Sequence, residues 1–502
     1  MRRSTFAALA LIALAAARIA STYTTLSATA DEPMHLSAGL MLVSQHQYGY
    51  QLENPPMPRA VMAFAPWRAG VEFDPSLDYV EQLRRVFYSH GRYTRNLAIA
   101  RAGNLVFFLL AAIATWLWAR RALGQWGGVV ATLIFTMQPV VLGYSGLVTH
   151  DAAATAGVAL ALLAFVYWLE RPGLARAMLF GAAYGFSIAC KFSCIAYVPA
   201  ACAAMYAVRL IWDAEARRAW RQALMAIPIA ATTCALVVIA SYAGAIGLFF
   251  TGIEHLLDTN RAGMQSYLFG KVSETGWWWY FPAAVALKTT IASLLLVVLG
   301  FVARRERVFA ESLAAALAIL AVAMPSHLDL GVRYVLPMYV PLTLAAAAAA
   351  MAMLRSPRTW MRAAAVALLA GHAGASLLAR RDTMAYFNVF AGPDPSRYLI
   401  DSNLEWGQDV LRLAKVVRAR NIDRIGLSVH GLHDFDALGF PPHYTVAPWE
   451  NAHGWIAVGD HTYRIWRVRG EWRSLRGQKY ERIGRSIRLY HLKGAGGTPA
   501  LP

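Results

Sequence analysis

Residues 97–121 read LAIARAGNLVFFLLAAIATWLWARR, an apolar run that ends in the paired arginines Arg120 and Arg121. A run of roughly 20 mostly apolar residues is long enough to cross the hydrocarbon core of a bilayer as a helix. Basic residues just beyond such a run mark its cytoplasmic end. This stretch therefore predicts a transmembrane helix whose C-terminal end faces the cytoplasm.

The same pattern recurs along the chain, which has 502 residues, 58% of them hydrophobic and only 15% charged. A water-soluble protein of this size would interrupt its apolar runs more often. The apolar segments lie near residues 5–25, 97–119, 126–143, 152–169, 176–190, 193–209, 222–250, 281–303, 309–325, 334–354 and 360–379. We therefore predict a mainly α, polytopic helical membrane protein with about 11 transmembrane helices.

The arginines give an independent test of this threading, because they were not used to find the segments. With a cytoplasmic N-terminus, every inner turn is basic. The inner arginines are Arg2, Arg3, Arg120, Arg121, Arg171, Arg176, Arg209, Arg217, Arg218, Arg221, Arg304, Arg305, Arg307, Arg355, Arg358 and Arg362. This placement accounts for much of the formal net charge of +18, so we do not expect a nucleic-acid partner.

Two parts of the threading leave an alternative open. The segments at 176–190 and 193–209 are separated only by a short stretch around Lys191; a single long helix there would invert everything downstream, against the arginine pattern. Residues 6–30 imitate a secretory signal, but Arg18 interrupts the apolar run and the distance from Ala17 to Ala30 is long for such a signal. We expect this segment to stay as the first crossing.

The predicted topology defines two domains. Residues 1–380 form the transmembrane domain, with a first outer loop at 31–96 containing interfacial helices and a second at 251–280. The odd number of crossings places residues 381–502 outside the cytoplasm as a small soluble α/β domain. It has a predicted helix at 406–419 and strand-like runs at 424–430, 454–458, 462–466 and 486–491. The expected location is the inner membrane of a bacterium.

Three acidic residues stand directly beside predicted crossings on the outer side. Asp31 and Glu32 follow the first crossing, where they are either a solvated helix end or a general base at the membrane surface. Asp151, in GLVTHD, begins another crossing and can cap that helix, bind a substrate, or do both. These are the candidate catalytic residues.

Four cations occupy the predicted outer rim, where an anionic lipid phosphate can be bound. They are Arg59, Lys191, Lys288 and Arg333. Cations within or beside a membrane are costly and favour a functional role, although long basic side chains also snorkel to the interface without one.

Metal and thiol chemistry find little support. Cys190, Cys194, Cys202 and Cys234 all lie in apolar stretches and are expected to be small buried residues. The isolated histidines, such as His35, His46 and His327, have no convincing ligand spacing and are predicted to be polar surface groups. No metal site is predicted.

The order of these features resembles a known class. DE follows the first crossing, NPPMPR lies in the same loop, GLVTHD and ACKFS follow, and GVRYVLP precedes a late crossing. This order is similar to that of the membrane glycosyltransferases of the GT-C class, most of all the protein O-mannosyltransferase and aminoarabinose-transferase superfamily. The resemblance covers roughly residues 1–380, and the tail stretches YFNVFAGP and DSNLEWGQDVLRL resemble bacterial members. Asn54 departs from the pattern, since it replaces the histidine of the usual HPPL.

The resemblance implies an inverting glycosyltransferase that moves a sugar from a polyprenyl-phosphate carrier to an acceptor hydroxyl on a protein, lipid or glycan. It implies that Asp31 is the base, with Glu32 and Asp151 as further acidic residues. Arg59 stands where these families often have a basic residue after the paired prolines, and Arg333 where an arginine can meet the carrier phosphate. The lipid-linked sugar is the donor substrate, membrane lipids surround the chain, and no cofactor is required.

Two other functions remain possible from the sequence. A lipid or glycan transporter or flippase also uses charges in a helical bundle, but it predicts mid-membrane charges and repeated halves. If the chain were a non-catalytic assembly factor, Asp31 and Asp151 would have no role. In the tail, a polar cluster is predicted either to bind a glycan acceptor or to serve capping and packing. It comprises Asn403, Glu405, Trp406, Gln408 and Asp409.

Overall fold

The protein is described from a computed structural model that covers residues 2–212, 225–302 and 306–492. Five of the inner arginines lie outside the described residues, namely Arg217, Arg218, Arg221, Arg304 and Arg305. The last ten residues of the predicted tail domain lie outside them as well.

Helices dominate the first 380 residues. Up to residue 212 they are α1 (Arg2–Ala20), α2 (Glu32–Gln45), α3 (Pro56–Arg68), α4 (Tyr79–Arg85), α5 (Tyr93–Leu123), α6 (Gln125–Thr136), α7 (Pro139–Ser145), α8 (Asp151–Glu170), α9 (Leu174–Cys190) and α10 (Cys194–Trp212). The later ones are α11 (Ile227–Ser241), α12 (Ile246–Ala262), α13 (Tyr280–Lys288), α14 (Ile291–Val302), α15 (Arg307–Ala323), α16 (Tyr339–Leu354) and α17 (Thr359–Leu378). Each of the eleven predicted segments coincides with a helix or a helix pair.

By length and composition, six described helices can cross a membrane, or nine if each of three bent pairs is one span. The bent pairs are α6 with α7 (64°), α11 with α12 (93°) and α13 with α14 (110°). Helix α9 is apolar but shorter. The exact number of crossings therefore stays a prediction.

The region between residues 176 and 209 contains two helices, so the single long helix considered as an alternative is wrong. Helix α9 ends at Cys190, and Lys191 has extended backbone angles (φ −162°, ψ 133°) that break the helical hydrogen bonding. Helix α10 begins at Cys194. Lys191 consequently lies in a short turn at the ends of both helices.

The predicted outer loops are folded. Residues 31–96 contain α2, α3, α4 and a 3-10 helix at Val86–Gly91. Helix α3 packs closely on α2, since a Cβ atom on Gly39 would lie 2.5 Å from the carbonyl oxygen of Arg59. The second loop contains most of α12 and an antiparallel pair of strands, β1 (Ser266–Leu268) and β2 (Lys271–Ser273).

The C-terminal region is a small α/β unit. Its five-stranded sheet has the order β4-β3-β5-β7-β6, with β3 parallel to both β4 and β5 and the remaining pairs antiparallel. The strands are β3 (Ile425–Ser428), β4 (His443–Thr445), β5 (Gly454–Gly459), β6 (Tyr480–Ile483) and β7 (Ile487–Leu492), and the helices are α18 (Val410–Ala419) and α19 (Asp460–Val468). Leu413 and Val417 of α18 are buried in the same apolar cluster as Ile425 and Leu427.

One predicted strand in this unit is wrong. Residues 462–466 belong to α19. Over five residues, the run TYRIW fits both a two-residue and a 3.6-residue period, and short apolar runs are ambiguous for this reason. In the structure only Asp460 and Ile465 of α19 are buried, and most of its other residues are half-buried.

Candidate active site

A cavity of about 910 Å³ lies where the first loop, the helix ends and the tail segment meet. Its walls come from segments distant in sequence: the start of α2, the turn before α8, the turn after α9, helices α12 and α15, the stretch 325–334 and the tail. The cavity therefore exists only when the whole chain is folded.

Four charged side chains form a row in this cavity. Arg333 donates to Asp31 Oδ2 at 2.9 Å, and its Nη1 lies 3.7 Å from Asp151 Oδ2. Lys191 Nζ donates to Asp151 Oδ1 at 2.6 Å. The side chain of Asp151 is 1% exposed, that of Arg333 8%, that of Lys191 15% and that of Asp31 22%. Asp31 is thus the member most open to the cavity.

Local structure leaves the two carboxylates free for these contacts. Asp31 is the N-cap residue of α2 but makes no side-chain capping hydrogen bond. Asp151 is the first residue of α8 and His150 is its N-cap, so the interpretation of Asp151 as the cap is wrong. Its negative charge still favours the positive end of the helix dipole.

The guanidinium group of Arg333 stacks on two aromatic rings. Its guanidinium carbon lies 4.2 Å from the ring centre of Trp406 and 5.1 Å from that of Tyr334. Stacking of a guanidinium on aromatic faces leaves its N–H groups in the plane free to donate. Arg333 Nε has no partner among the described residues.

Unpaired polar atoms are concentrated in the cavity wall. Among the described residues, 18 buried side-chain polar atoms have no hydrogen-bond partner, and six of them belong to residues that line this cavity. The six are His35 Nδ1, Gln51 Oε1, His150 Nδ1, Asp151 Oδ2, Ser193 Oγ and Arg333 Nε. An unpaired buried polar atom is costly, so a polar substrate that satisfies these atoms would bind favourably.

Two histidines lie side by side in this wall. The rings of His35 and His150 make an edge-on contact with centroids 4.6 Å apart. Burial lowers the pKa of His35 to about 4, and burial also lowers the pKa of His150. Both imidazoles are therefore neutral at neutral pH. The prediction that His35 is a surface group is wrong, because His35 is only 5% exposed.

Part of the cavity wall is apolar. Leu256 and Leu257 of α12 and Val322 and Ala323 of α15 line it. The charged row and an apolar surface therefore share one cavity. A ligand with a charged head and an apolar chain matches this combination.

Three residues predicted for the site lie elsewhere. Glu32 is fully buried and forms an ion pair with Arg101 at 2.7 Å. Arg59 is 1% exposed and donates to the carbonyl oxygens of Tyr50, Gln51 and Asn54, which fixes the first loop. Lys288 is fully buried, and its Nζ donates to the carbonyl oxygens of Met384 and Asn403. None of the three lines the cavity.

The predicted tail cluster is divided between two locations. Trp406 lines the cavity. The other four members are buried and bonded within the fold: Asn403 Oδ1 accepts from Val332 N, Glu405 accepts from His430 N and His461 N, Gln408 Oε1 accepts from Trp406 N, and Asp409 accepts from Arg412 and Ser486.

Many lining residues of the cavity were not predicted from the sequence, among them His35, His150, Asp401 and His430. His150 and Asp401 belong to the motifs GLVTHD and DSNLEWGQD, and their places beside other candidates were a usable signal. His430 follows a strand in the C-terminal unit, and no local pattern indicates its position.

Comparisons with known proteins agree with this architecture. Residues 94–243 match the model of the dolichyl-phosphate-mannose-protein mannosyltransferase family. The structure of ArnT from Cupriavidus metallidurans bound to undecaprenyl phosphate is 14% identical, with 98% of this chain and 99% of that chain covered and a TM-score of 0.50. The apo structure of the same protein is 15% identical, with 96% and 97% covered and a TM-score of 0.51. A search of curated protein sequences found no significant match.

The fold is that of the GT-C membrane glycosyltransferases. The resemblance found in the sequence and the predicted mainly helical fold with a small C-terminal sheet are thereby confirmed. With its many apolar helices and this fold, the chain is a multi-pass membrane protein.

Proposed function

We propose that this chain is an inverting glycosyltransferase that moves a sugar from a polyprenyl-phosphate carrier to an acceptor hydroxyl. The observation that carries the proposal is the row of Asp31, Arg333, Asp151 and Lys191 beside an apolar wall in one cavity. This combination fits a lipid phosphate that carries a sugar. The proposed setting is the outer face of a bacterial inner membrane, with the C-terminal unit outside the cytoplasm.

The two cations are the proposed phosphate-binding groups. Arg333 Nε is an unpaired donor, and Lys191 lies on the other side of Asp151 in the row. Charge-assisted hydrogen bonds to phosphate are short and strong. They stabilise the negative charge that develops on the phosphate as it leaves. The apolar side chains of α12 and α15 would contact the polyprenyl chain.

Asp31 is the proposed base. Its Oδ2 accepts from Arg333, and no residue of the described ranges is bonded to its Oδ1. The acceptor oxygen attacks the anomeric carbon, the bond from that carbon to the phosphate oxygen breaks, and the hydroxyl proton passes to Asp31. One displacement inverts the configuration at the anomeric carbon. The scheme uses the lipid-linked sugar as its only donor and involves no cofactor or metal.

Replacing Asp31 with asparagine tests this function. The carboxamide keeps the size of the side chain but cannot take up a proton, so we expect the rate of transfer to fall by about 10²–10⁴-fold. Mass spectrometry of surface glycans and glycoproteins, in cells with the gene, without it and with Asp31→Asn, identifies the product and measures the loss. Binding of undecaprenyl phosphate to the purified variant should persist.

Full product formation by Asp31→Asn would remove this residue from the mechanism. A different result distinguishes the rival function. If vesicles containing the protein move labelled undecaprenyl phosphate between leaflets, and no sugar product depends on the gene, the chain is a flippase instead of a transferase.

A further inference from the structure

The tail segment 401–409, here named the tail strap, is bound to both elements that carry the charged row. Beside Asp31, Ala30 N donates to the carbonyl oxygen of Trp406 at 2.9 Å, and Ser27 N donates to that of Gln408 at 2.9 Å. Beside Arg333, Val332 N donates to Asn403 Oδ1 at 3.0 Å. The tail strap is therefore a fixed wall of the cavity, and its exposed side chains have defined directions.

Asp401 is a carboxylate of this wall that is not paired with a basic side chain. It lines the cavity with its side chain 20% exposed. Its Oδ1 accepts from Ser402 N at 2.5 Å, and its Oδ2 lies 3.6 Å from His461 Nε2. Among the described residues, no Lys or Arg lies within 4.0 Å of it. Asp31 and Asp151, in contrast, are both paired with cations.

The backbone at Asp401 is strained in a way that fixes this direction. Its φ angle is +55°, in the left-handed region that non-glycine residues seldom adopt. Strain of this kind persists where surrounding contacts enforce it, and it is concentrated at functional sites. Ser402 Oγ donates to the carbonyl oxygen of Leu330 at 2.5 Å and supplies such a contact.

Through His430, the C-terminal unit contributes to the same cavity. It follows β3 and lines the cavity. Its N–H donates to Glu405 at 3.3 Å, and its ring centre lies 4.3 Å from that of His461. The neighbouring Gly431 approaches the residue before Asp31, since a Cβ atom on it would lie 3.7 Å from Ala30 Cα. The backbone beside His430 therefore approaches the backbone beside Asp31, and both residues line the same cavity.

The groups around Asp401 suit hydroxyls. Four more polar side chains of the first loop line the cavity, namely Gln51, Glu53, Asn54 and Tyr79. Carboxylates, amides, imidazoles and phenols all hydrogen-bond to alcohols. A carboxylate has two oxygens and can accept from two neighbouring hydroxyls at once, an arrangement that saccharides offer and a single Ser or Thr side chain does not.

We propose that Asp401 and His430 form an acceptor subsite that binds neighbouring hydroxyls of a saccharide and directs one of them toward Asp31. This inference rests on the proposed function and assigns no bond-making step to either residue. Both are positioning residues. The C-terminal unit, through His430, is then part of the substrate-binding surface.

The test uses the full chain in proteoliposomes. The donors are labelled polyprenyl-phosphate sugars extracted from membranes of a strain that lacks the gene. The acceptors are unlabelled saccharide and protein fractions of the same cell envelope. Three quantities are measured: transfer to each fraction, release of sugar to water without acceptor, and binding of undecaprenyl phosphate.

We expect transfer into the saccharide fraction. Asp401→Asn should raise the KM for the saccharide fraction about 10–100-fold, the effect of losing hydrogen bonds to a charged group, while release to water and undecaprenyl phosphate binding, which do not involve the acceptor, stay unchanged. Asparagine tolerates a positive φ, so this variant keeps the local backbone. His430→Gln should raise KM in the same direction, and Asp423→Asn on the exposed surface is the matched control.

Other results overturn the subsite. An unchanged KM for both variants, transfer into the protein fraction, or release to water with no acceptor product would each contradict it. A fall in kcat and in undecaprenyl phosphate binding would show that the tail strap only supports Asp31 and Arg333. If wild type neither transfers nor releases sugar, the proposed function itself has failed.

Discussion

Asp31 and Glu32 are neighbours in sequence but have opposite environments. Asp31 faces the cavity with its side chain 22% exposed and contacts Arg333 through one oxygen. Glu32 is fully buried, and both of its oxygens accept from Arg101. Charges that face a cavity remain available to a substrate, whereas charges that satisfy one another inside the protein hold it together.

The buried pair is fully satisfied. Glu32 also accepts from Thr29 N at 2.7 Å and Val148 N at 2.8 Å, and Arg101 also donates to the carbonyl oxygens of Leu26 and Ser27. A buried polar network of this kind is stabilising only when every member has its partners. It joins the first loop, α5 and the turn before α8, and so fixes the backbone on either side of Asp31 and Asp151.

The largest expected effect comes from breaking this pair. Glu32→Gln leaves the buried charge of Arg101 uncompensated, so we expect a loss of about 3–5 kcal/mol in the free energy of unfolding. The midpoint of thermal unfolding in detergent measures it. Replacing both partners, as Glu32→Leu with Arg101→Leu, leaves no unpaired charge. It should recover only part of that stability, because the buried backbone groups that the pair satisfies lose these partners.

Asp31→Asn is the matched control for that measurement. We expect this variant to change the free energy of unfolding by only about a few tenths of a kcal/mol, as surface-like substitutions do. That change corresponds to a shift of about 1 °C in the unfolding midpoint. If Glu32→Gln abolished transfer while leaving the unfolding midpoint unchanged, the contrast between the two neighbours would be false. Glu32 would then return as a catalytic candidate.

A second prediction concerns the cavity side of the comparison. Arg333→Lys keeps the positive charge but removes the planar fork that contacts Asp31, together with the unpaired Nε. We expect the Kd for undecaprenyl phosphate to rise about 10–100-fold, or roughly 1.5–3 kcal/mol, with a small change in stability. Arg397→Lys, whose side chain is 71% exposed, is the control. An unchanged Kd would remove Arg333 from phosphate binding.

The comparison also explains what the sequence could predict. Apolar length and the positions of arginines identify the membrane helices, because both follow from the bilayer as a solvent. Asp31, Asp151, Lys191 and Arg333 could be proposed as one group because each lies at a predicted helix end on the same side. The structure brings these four into one cavity.

The direction of a side chain could not be predicted. Arg59, Lys288 and Glu32 were predicted to lie on the same outer side, but their side chains point into the protein, toward carbonyl oxygens or a buried partner. Asp401 and His430 reach the cavity because the tail strap crosses the first loop, a contact between residues almost 400 positions apart in sequence. Periodicity and local motifs contain no information about contacts of this range.

Taken over a single pH unit, the smallest expected effect concerns a second buried glutamate, one that has no basic partner among the described residues. Glu405 is fully buried and accepts only from the backbone N–H groups of His430 and His461. Burial raises the pKa of Glu405 to about 8, despite these two N–H groups. The unfolded value is about 4.3, so between roughly pH 4.5 and pH 8 the folded state retains a proton that the unfolded state releases. This group therefore lowers stability as pH rises through that window, by at most about 1.4 kcal/mol per pH unit.

Glu405→Gln resembles the neutral acid at every pH. The unfolding midpoint of this variant, relative to that of wild type, should therefore rise from pH 5 to pH 8. Parallel curves for the two proteins would mean that Glu405 is ionised in the fold, as Glu32 is in its pair.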